Sequence, residues 1–138
     1  MKAKAGLRIL AIDDQPAVLL TYKLILQQQG YTVMGAATYE QAIELLHNEP
    51  WDLLLCDFSL DGGYSGFDIV DAARLCHREI GCLLLTGYVN PEIAEQAARR
   101  GIVVLNKPAE VPELLRQLER LASPKRSETQ MLTAAQRA

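Results

Sequence analysis

No apolar stretch in this chain approaches the roughly 18 residues that a membrane-spanning helix needs, so a helical membrane protein is excluded. Met1-Lys2-Ala3-Lys4 leads into a strand-like run without a small-residue cleavage site, and the chain reads as cytoplasmic. Cysteine is scarce and odd in number. Cys56, Cys76 and Cys82 lack CxxC spacing, and two of them fall inside apolar runs, which argues against a disulfide scaffold or a zinc site and for buried free thiols. Basic charge is short as well: the net charge is −3, and residues 1–122 carry 11 basic against 16 acidic side chains. Nonspecific nucleic-acid binding by this region is therefore not expected. Internal repeats beyond a strand–helix alternation and low-complexity segments are also missing.

What is present is an ordinary globular composition, 49% hydrophobic and 22% charged over 138 residues, enough for one domain with a real core. The organising stretch is Leu53-Leu54-Leu55-Cys56-Asp57. Its apolar part is too short for a helix and lies between Asp52 and the turn-rich Asp61-Gly62-Gly63, so it reads as a strand buried on both faces that delivers Asp57 at its end. Three similar runs, Leu7–Ile12, Gly81–Leu85 and Ile102–Leu105, and a weaker β-branched one over 31–36, make five strands.

Helices are predicted between and after them. Pro16 suits a first helical turn, and Val18, Leu19, Tyr22, Ile25 and Leu26 recur at helical spacing until Gly30. Thr38 with Gln41 resembles a capping box, and Ser65 with Asp68 can cap a helix running to about His77. Asn90-Pro91 opens an alanine-rich helix that ends at Gly101, and Val111, Leu114, Leu115, Leu118 and Leu121 trace one face of a last helix. Right-handed crossovers then give a doubly wound α/β domain, (βα)5, whose parallel sheet is covered on both faces. The domain is expected over residues 1–122, with a tail or linker stub over 123–138.

In a parallel sheet all carboxyl ends share one edge, where ligands bind. Here strands one, three, four and five end in Asp13-Asp14, Asp57, Thr86 and Lys107. Clustered carboxylates repel unless a cation holds them, and hard oxygen ligands favour Mg²⁺ or Ca²⁺; Mg²⁺ is the natural inference. Asp57 could then be a nucleophile toward phosphorus, with Lys107 neutralising phosphoryl oxygens and Thr86 donating a hydrogen bond to one of them.

With these residues in place the chain resembles the receiver domain of two-component response regulators over about residues 7–122. The family pattern is an acidic pair after strand one, a phosphoacceptor Asp after strand three, Thr or Ser after strand four and Lys-Pro after strand five. The resemblance implies the flavodoxin-like strand order 2-1-3-4-5, for which the chemotaxis receiver is a standard example. It also implies phosphorylation of Asp57 by a histidine kinase or phosphotransfer protein, and Mg²⁺ held by Asp13, Asp14, Asp57 and the backbone carbonyl of Ser59, with Asp14 the more direct of the pair. Thr86 would move toward the phosphoryl group on activation, Lys107 would pair with it, and the Lys107-Pro108 bond would be cis. Activity would be limited to self-phosphorylation and self-dephosphorylation.

Three positions depart from the pattern. Val104 stands where an aromatic switch residue is common, Asp61 replaces a proline four residues after the phosphoacceptor, and Ala109 follows Lys-Pro in place of an aromatic. Tyr88 and Ser59 border the pocket and are candidates for controlling water access. Trp51 reads as a packing residue, and His47 and His77 as surface residues. A receiver attached to a hybrid histidine kinase is an alternative context. A Mg²⁺-dependent phosphohydrolase is an alternative class, although such enzymes of the haloacid dehalogenase type carry Asp-x-Asp after strand one. A flavin-binding protein would need a Ser/Thr/Gly-rich loop where Asp13-Asp14-Gln15-Pro16 stands. A receiver kept only for protein interaction could dispense with the acidic pocket. No DNA-binding domain is expected after residue 122, so the output is another protein or a domain outside this chain.

Overall fold

The five short apolar runs form β1 (Arg8–Ile12), β2 (Thr32–Ala36), β3 (Leu53–Asp57), β4 (Gly81–Thr86) and β5 (Val103–Asn106). They belong to a computed structural model that describes residues 6–122, so the tail expected over 123–138 lies outside the described residues. All pairings are parallel and the order is β2-β1-β3-β4-β5, as the resemblance implied. Five helices alternate with the strands: α1 (Pro16–Gln28), α2 (Tyr39–Asn48), α3 (Gly66–Cys76), α4 (Pro91–Arg100) and α5 (Val111–Ala122).

Strand residues alternate between two cores. Leu10, Ile12, Leu54, Cys56, Cys82 and Leu84 pack with α2, α3 and α4, whereas Ile9, Ala11, Leu53, Leu55, Leu83 and Leu85 pack with α1 and α5. Both faces of the central strands are thus dry, which is why these strands are continuous apolar runs. Leu114 and Leu118 are buried in the second core, as their helical spacing suggested.

The caps follow the sequence with small differences. Thr38 accepts from the Gln41 amide at 3.1 Å, but the Gln41 side chain reaches back to the Ala37 amide at 2.8 Å, one residue before the cap. Ser65 accepts from Phe67 N–H at 3.1 Å, and Asp68 accepts from Ser65 N–H at 2.8 Å, closing the box expected at α3. The Asn90 side chain accepts from Ile93 N–H at 2.8 Å. β5 begins one residue later than its apolar run, because Ile102 donates its amide to Ala97 of α4 and still belongs to the helix exit. His77 is not a plain surface residue: its Nε2 lies 2.8 Å from the Leu46 carbonyl and joins the ends of α2 and α3.

Candidate functional site

Register brings the strand ends level. Ile12 pairs with Cys56, Asp57 with Leu85, and Thr86 with Asn106, so Asp13, Asp57, Thr86 and Lys107 emerge within about one residue of one another at the same edge. Phe58 N–H donates to the Leu85 carbonyl at 2.7 Å and Lys107 N–H to the Thr86 carbonyl at 2.7 Å, extending the ladder past the ends of β3 and β5. The residues carrying the chemistry therefore sit on hydrogen-bonded backbone.

Asp13, Asp14 and Asp57 each present an oxygen, and all three oxygens lie within 4.8 Å of one another. Asp13 is the most buried, at 1% exposure. Its Oδ1 accepts from Gln15 N–H at 2.9 Å, while its Oδ2 is buried without a hydrogen-bond partner among the described residues. Leaving such an atom unsatisfied costs about 1–3 kcal/mol, more when it is charged. Burial raises the Asp13 pKa above the ordinary carboxylate value; the Gln15 hydrogen bond opposes the rise and the Asp57 charge adds to it. A buried, unsatisfied carboxylate oxygen beside two further carboxylates is the donor set that a hard divalent cation requires. The residues fit such an ion.

Lys107 Nζ stands 2.9 Å from Asp57 Oδ1. Burial alone would lower the Lys107 pKa, but the hydrogen bond and charge of Asp57, with smaller contributions from Asp13 and Tyr22, outweigh it and raise the value. Thr86 is buried next to this pair, and its Oγ1 accepts only a long 3.5 Å bond from Tyr88 N–H.

The segment after Asp57 folds back on itself. Leu60 N–H donates to Tyr64 O at 3.1 Å and Gly66 N–H to Phe58 O at 2.6 Å, forming an antiparallel bridge between Ser59 and Ser65. These bonds use groups of Phe58 and Leu60 and leave the Ser59 carbonyl out of the pairing. The tip is a 3₁₀ turn, Asp61–Gly63, where Gly62 and Gly63 adopt φ of 84° and 82° that other residues rarely reach. Tyr64 stacks on Tyr39 of α2 with ring centroids 3.8 Å apart, which ties the turn to the body of the domain.

The Lys107-Pro108 bond is cis. Val104 packs against the first core beside Leu84, so no aromatic ring stands at that point of β5. Tyr88 is 71% exposed at the rim. Trp51 is buried, with its Nε1 donating to Leu45 O at 2.9 Å, and His47 is exposed. Cys56 and Cys82 are buried and Cys76 half-buried, all three as free thiols. No helix among the described residues is long and apolar enough to cross a membrane. Asp61, exposed on the turn after β3, also belongs near the site: the neighbouring Asp14 carboxyl raises its pKa above the ordinary carboxylate value. The signal was an acid in place of proline beside an acidic pocket.

Comparison with known proteins agrees with this geometry. The sequence matches the response regulator receiver domain family over residues 9–119. It is 33% identical over 128 residues to the alginate biosynthesis transcriptional regulatory protein AlgB of Pseudomonas aeruginosa, an alignment covering 92% of this chain and 27% of the relative. The chain thus spans about a quarter of the length of that relative. Among solved structures, a CheY-like receiver domain protein from Methanospirillum hungatei superposes with a TM-score of 0.81 at 28% identity, covering 88% of this chain and 98% of that one. A response regulator from Burkholderia pseudomallei, determined with a phosphorylated aspartic acid, a calcium ion and citrate, gives a TM-score of 0.75 at 28% identity over 96% of this chain and 76% of that one. Five parallel strands in this order, the acidic edge and the match over most of the sequence make one conclusion: the chain belongs to the response regulator receiver domain family of two-component signalling.

Proposed function

We propose that the domain, over residues 1–122, accepts a phosphoryl group on Asp57 from a histidine kinase or phosphotransfer protein in the cytoplasm. The observation that carries this reading is Asp57 itself: a carboxylate held by Lys107 at 2.9 Å and placed within 4.8 Å of the Asp13 and Asp14 oxygens. The Burkholderia structure, with its phosphorylated aspartate and calcium ion, supports it by analogy.

Asp13, Asp14 and Asp57 would hold Mg²⁺, with the Ser59 carbonyl as a further ligand. The ion, when bound, supplies positive charge that offsets the carboxylates and the phosphoryl oxygens. The protein's own groups do the rest. Lys107 occupies Asp57 Oδ1, which leaves Oδ2 to form the new O–P bond; the bond from phosphorus to the donor breaks, and the donor leaves with its electron pair. Charge on the transferred group is spread over its equatorial oxygens, where the Lys107 ammonium and the Thr86 hydroxyl stabilise it. Once Asp57 carries the phosphoryl group as an acyl phosphate, its grip on Lys107 would weaken and Thr86 would gain a strong acceptor. Both changes pull on β4 and β5, which is how the phosphorylated state would reach a partner-binding face. Dephosphorylation would be the attack of water on the same phosphorus, with Tyr88, two residues beyond Thr86 and exposed, the candidate for limiting that access. The output partner is a protein or a domain outside this chain.

The test is intact-mass measurement after incubation with acetyl phosphate, with and without Mg²⁺, beside Asp57→Asn. One added phosphoryl group that requires Mg²⁺ and disappears in the variant is expected. No adduct on the wild type together with no binding of beryllofluoride would overturn the reading, and turnover of a generic phosphatase substrate would favour a hydrolase instead.

A further inference from the structure

The segment that follows β3 is held by a residue of another helix. Ser59 and Ser65 face each other in an antiparallel bridge, flanked by the bonds from Leu60 N–H to Tyr64 O at 3.1 Å and from Gly66 N–H to Phe58 O at 2.6 Å. In such a pair the backbone groups of the two bridged residues point away from the opposite segment. The Ser59 carbonyl also shares one planar peptide unit with the Leu60 N–H, so the bond that this N–H makes to Tyr64 fixes the direction of the carbonyl. Whatever holds Tyr64 therefore aims Ser59.

Tyr64 is held through its ring, which stacks on Tyr39 with centroids 3.8 Å apart and planes 4° from parallel. Tyr39 is the first residue of α2, directly after the Thr38 cap that accepts from Gln41 N–H. Three residues before it, the Ala36 carbonyl at the end of β2 accepts from Asp13 N–H at 3.2 Å. The anchoring ring thus starts from the same sheet edge as the carboxylates. The turn it steadies carries Gly62 and Gly63, both exposed and at positive φ. Two glycines give the free chain more conformations to lose than other residues would, so anchoring at the end of the turn matters.

We propose that Tyr39, on α2 and outside the acidic cluster, is a positioning residue for divalent-cation binding: its stack on Tyr64 holds the hairpin after β3 and so keeps the Ser59 carbonyl aimed. This rests on the metal-dependent reading above, in which Ser59 supplies a ligand, and adds the residues that place that ligand. Neither tyrosine needs to touch the ion.

The experiment combines amide hydrogen exchange of the metal-free protein with MnCl₂ titration followed by electron paramagnetic resonance of free Mn²⁺. Tyr39→Leu is expected to speed exchange at Leu60 and Gly66 and to weaken Mn²⁺ roughly three- to tenfold, at or below the low end of the roughly 10- to 100-fold typical of groups that orient ligands, because one ligand of the set is affected. Tyr39→Phe keeps the ring and should match the wild type in both measurements. Tyr64→Leu should reproduce the loss, and the double variant should lose no more than either single one, since both remove the same contact. Ile80→Val trims the core that α2 and α3 share, at the opposite edge of the sheet; it should lower the melting temperature and leave Mn²⁺ affinity unchanged. Unchanged Mn²⁺ affinity in Tyr39→Leu and Tyr64→Leu, additive losses in the double variant, or an equal loss in Ile80→Val would overturn the assignment while leaving the metal site standing. A wild type that does not bind Mn²⁺ would instead remove the metal-dependent reading, and this inference with it.

Discussion

Among the described residues Lys107 is the cation paired with the acidic edge, and its pairing with Asp57 makes a pH-dependent contribution whose sign is fixed. A lysine whose folded pKa is raised stabilises the fold fully below its ordinary value of 10.5, and that stability is lost as pH climbs through the raised value. Lys107→Met should therefore lower the metal-free melting temperature across the neutral range, with the gap to wild type closing only at strongly alkaline pH; parallel thermal melts from pH 6 to 11 check this. The thiols give a second prediction. Burial drives the Cys56 pKa well above its usual range and pushes Cys82 up to about 11, so neither offers a thiolate at neutral pH. A disulfide-exchange reagent should label one thiol quickly in the native protein, Cys76, and all three after denaturation. Asp13, Asp57, Thr86 and Lys107 were legible in the sequence because each follows an apolar run and strand ends share an edge. Asp61 was not, because its approach to Asp14 depends on how a loop folds back, and no periodicity encodes that.

Helices α3 and α4 are joined by more than apolar packing. Arg100 forms a two-pronged ion pair with Asp71 at 2.9 and 3.0 Å, its guanidinium lies 4.3 Å from the Phe67 ring centroid, and Arg74 donates to the Arg100 carbonyl at 2.8 Å. The hydrogen bond from Arg100 holds the Asp71 pKa below the usual carboxylate value. A carboxylate with a lowered pKa stabilises the fold above its ordinary value of 3.8, and the contribution fades as pH falls through the lowered one. Arg100→Ala should cost about 1–2 kcal/mol at pH 7, from a partly exposed ion pair and a cation–π contact, and the difference should shrink in acid; urea unfolding at pH 7 and pH 3 measures it. Gly66 marks another close approach: an added Cβ would lie 2.9 Å from Leu84 Cδ2 and 3.2 Å from the Phe58 Cα. Gly66→Ala should destabilise by about 1–3 kcal/mol and slow acetyl-phosphate labelling, since the segment leaving Asp57 must shift. Elements of this kind were read correctly where caps and spacing spoke, as at Ser65, Asn90 and Gly101. The sequence could not show the Arg100 clamp, because Asp71 and Arg100 are brought together by the way two helices cross one sheet face.

For the whole molecule, the alternation of apolar runs with amphipathic stretches was sufficient to predict a doubly wound sheet, but the strand order came from family resemblance, since crossover rules permit more than one order. Among the described residues one lysine pairs with an edge of three clustered carboxylates, so repulsion between them is only partly offset. Saturating Mg²⁺ should raise the unfolding free energy by about 2.7 kcal/mol at a hundredfold excess over Kd, read as a shift in the thermal midpoint that is lost in Asp14→Asn. Trp51 adds a consequence at this scale. It is the chain's single tryptophan, sealed under the Arg8 guanidinium at 4.6 Å from its ring centroid, and it precedes β3 whereas Asp57 ends that strand. Indole and carboxylate are thus separated by about 15 to 20 Å of extended chain. The protein carries a natural fluorophore at the end of the sheet remote from its chemistry, blind to direct quenching there. Any change in its emission on addition of beryllofluoride would report a rearrangement transmitted through the body of the fold.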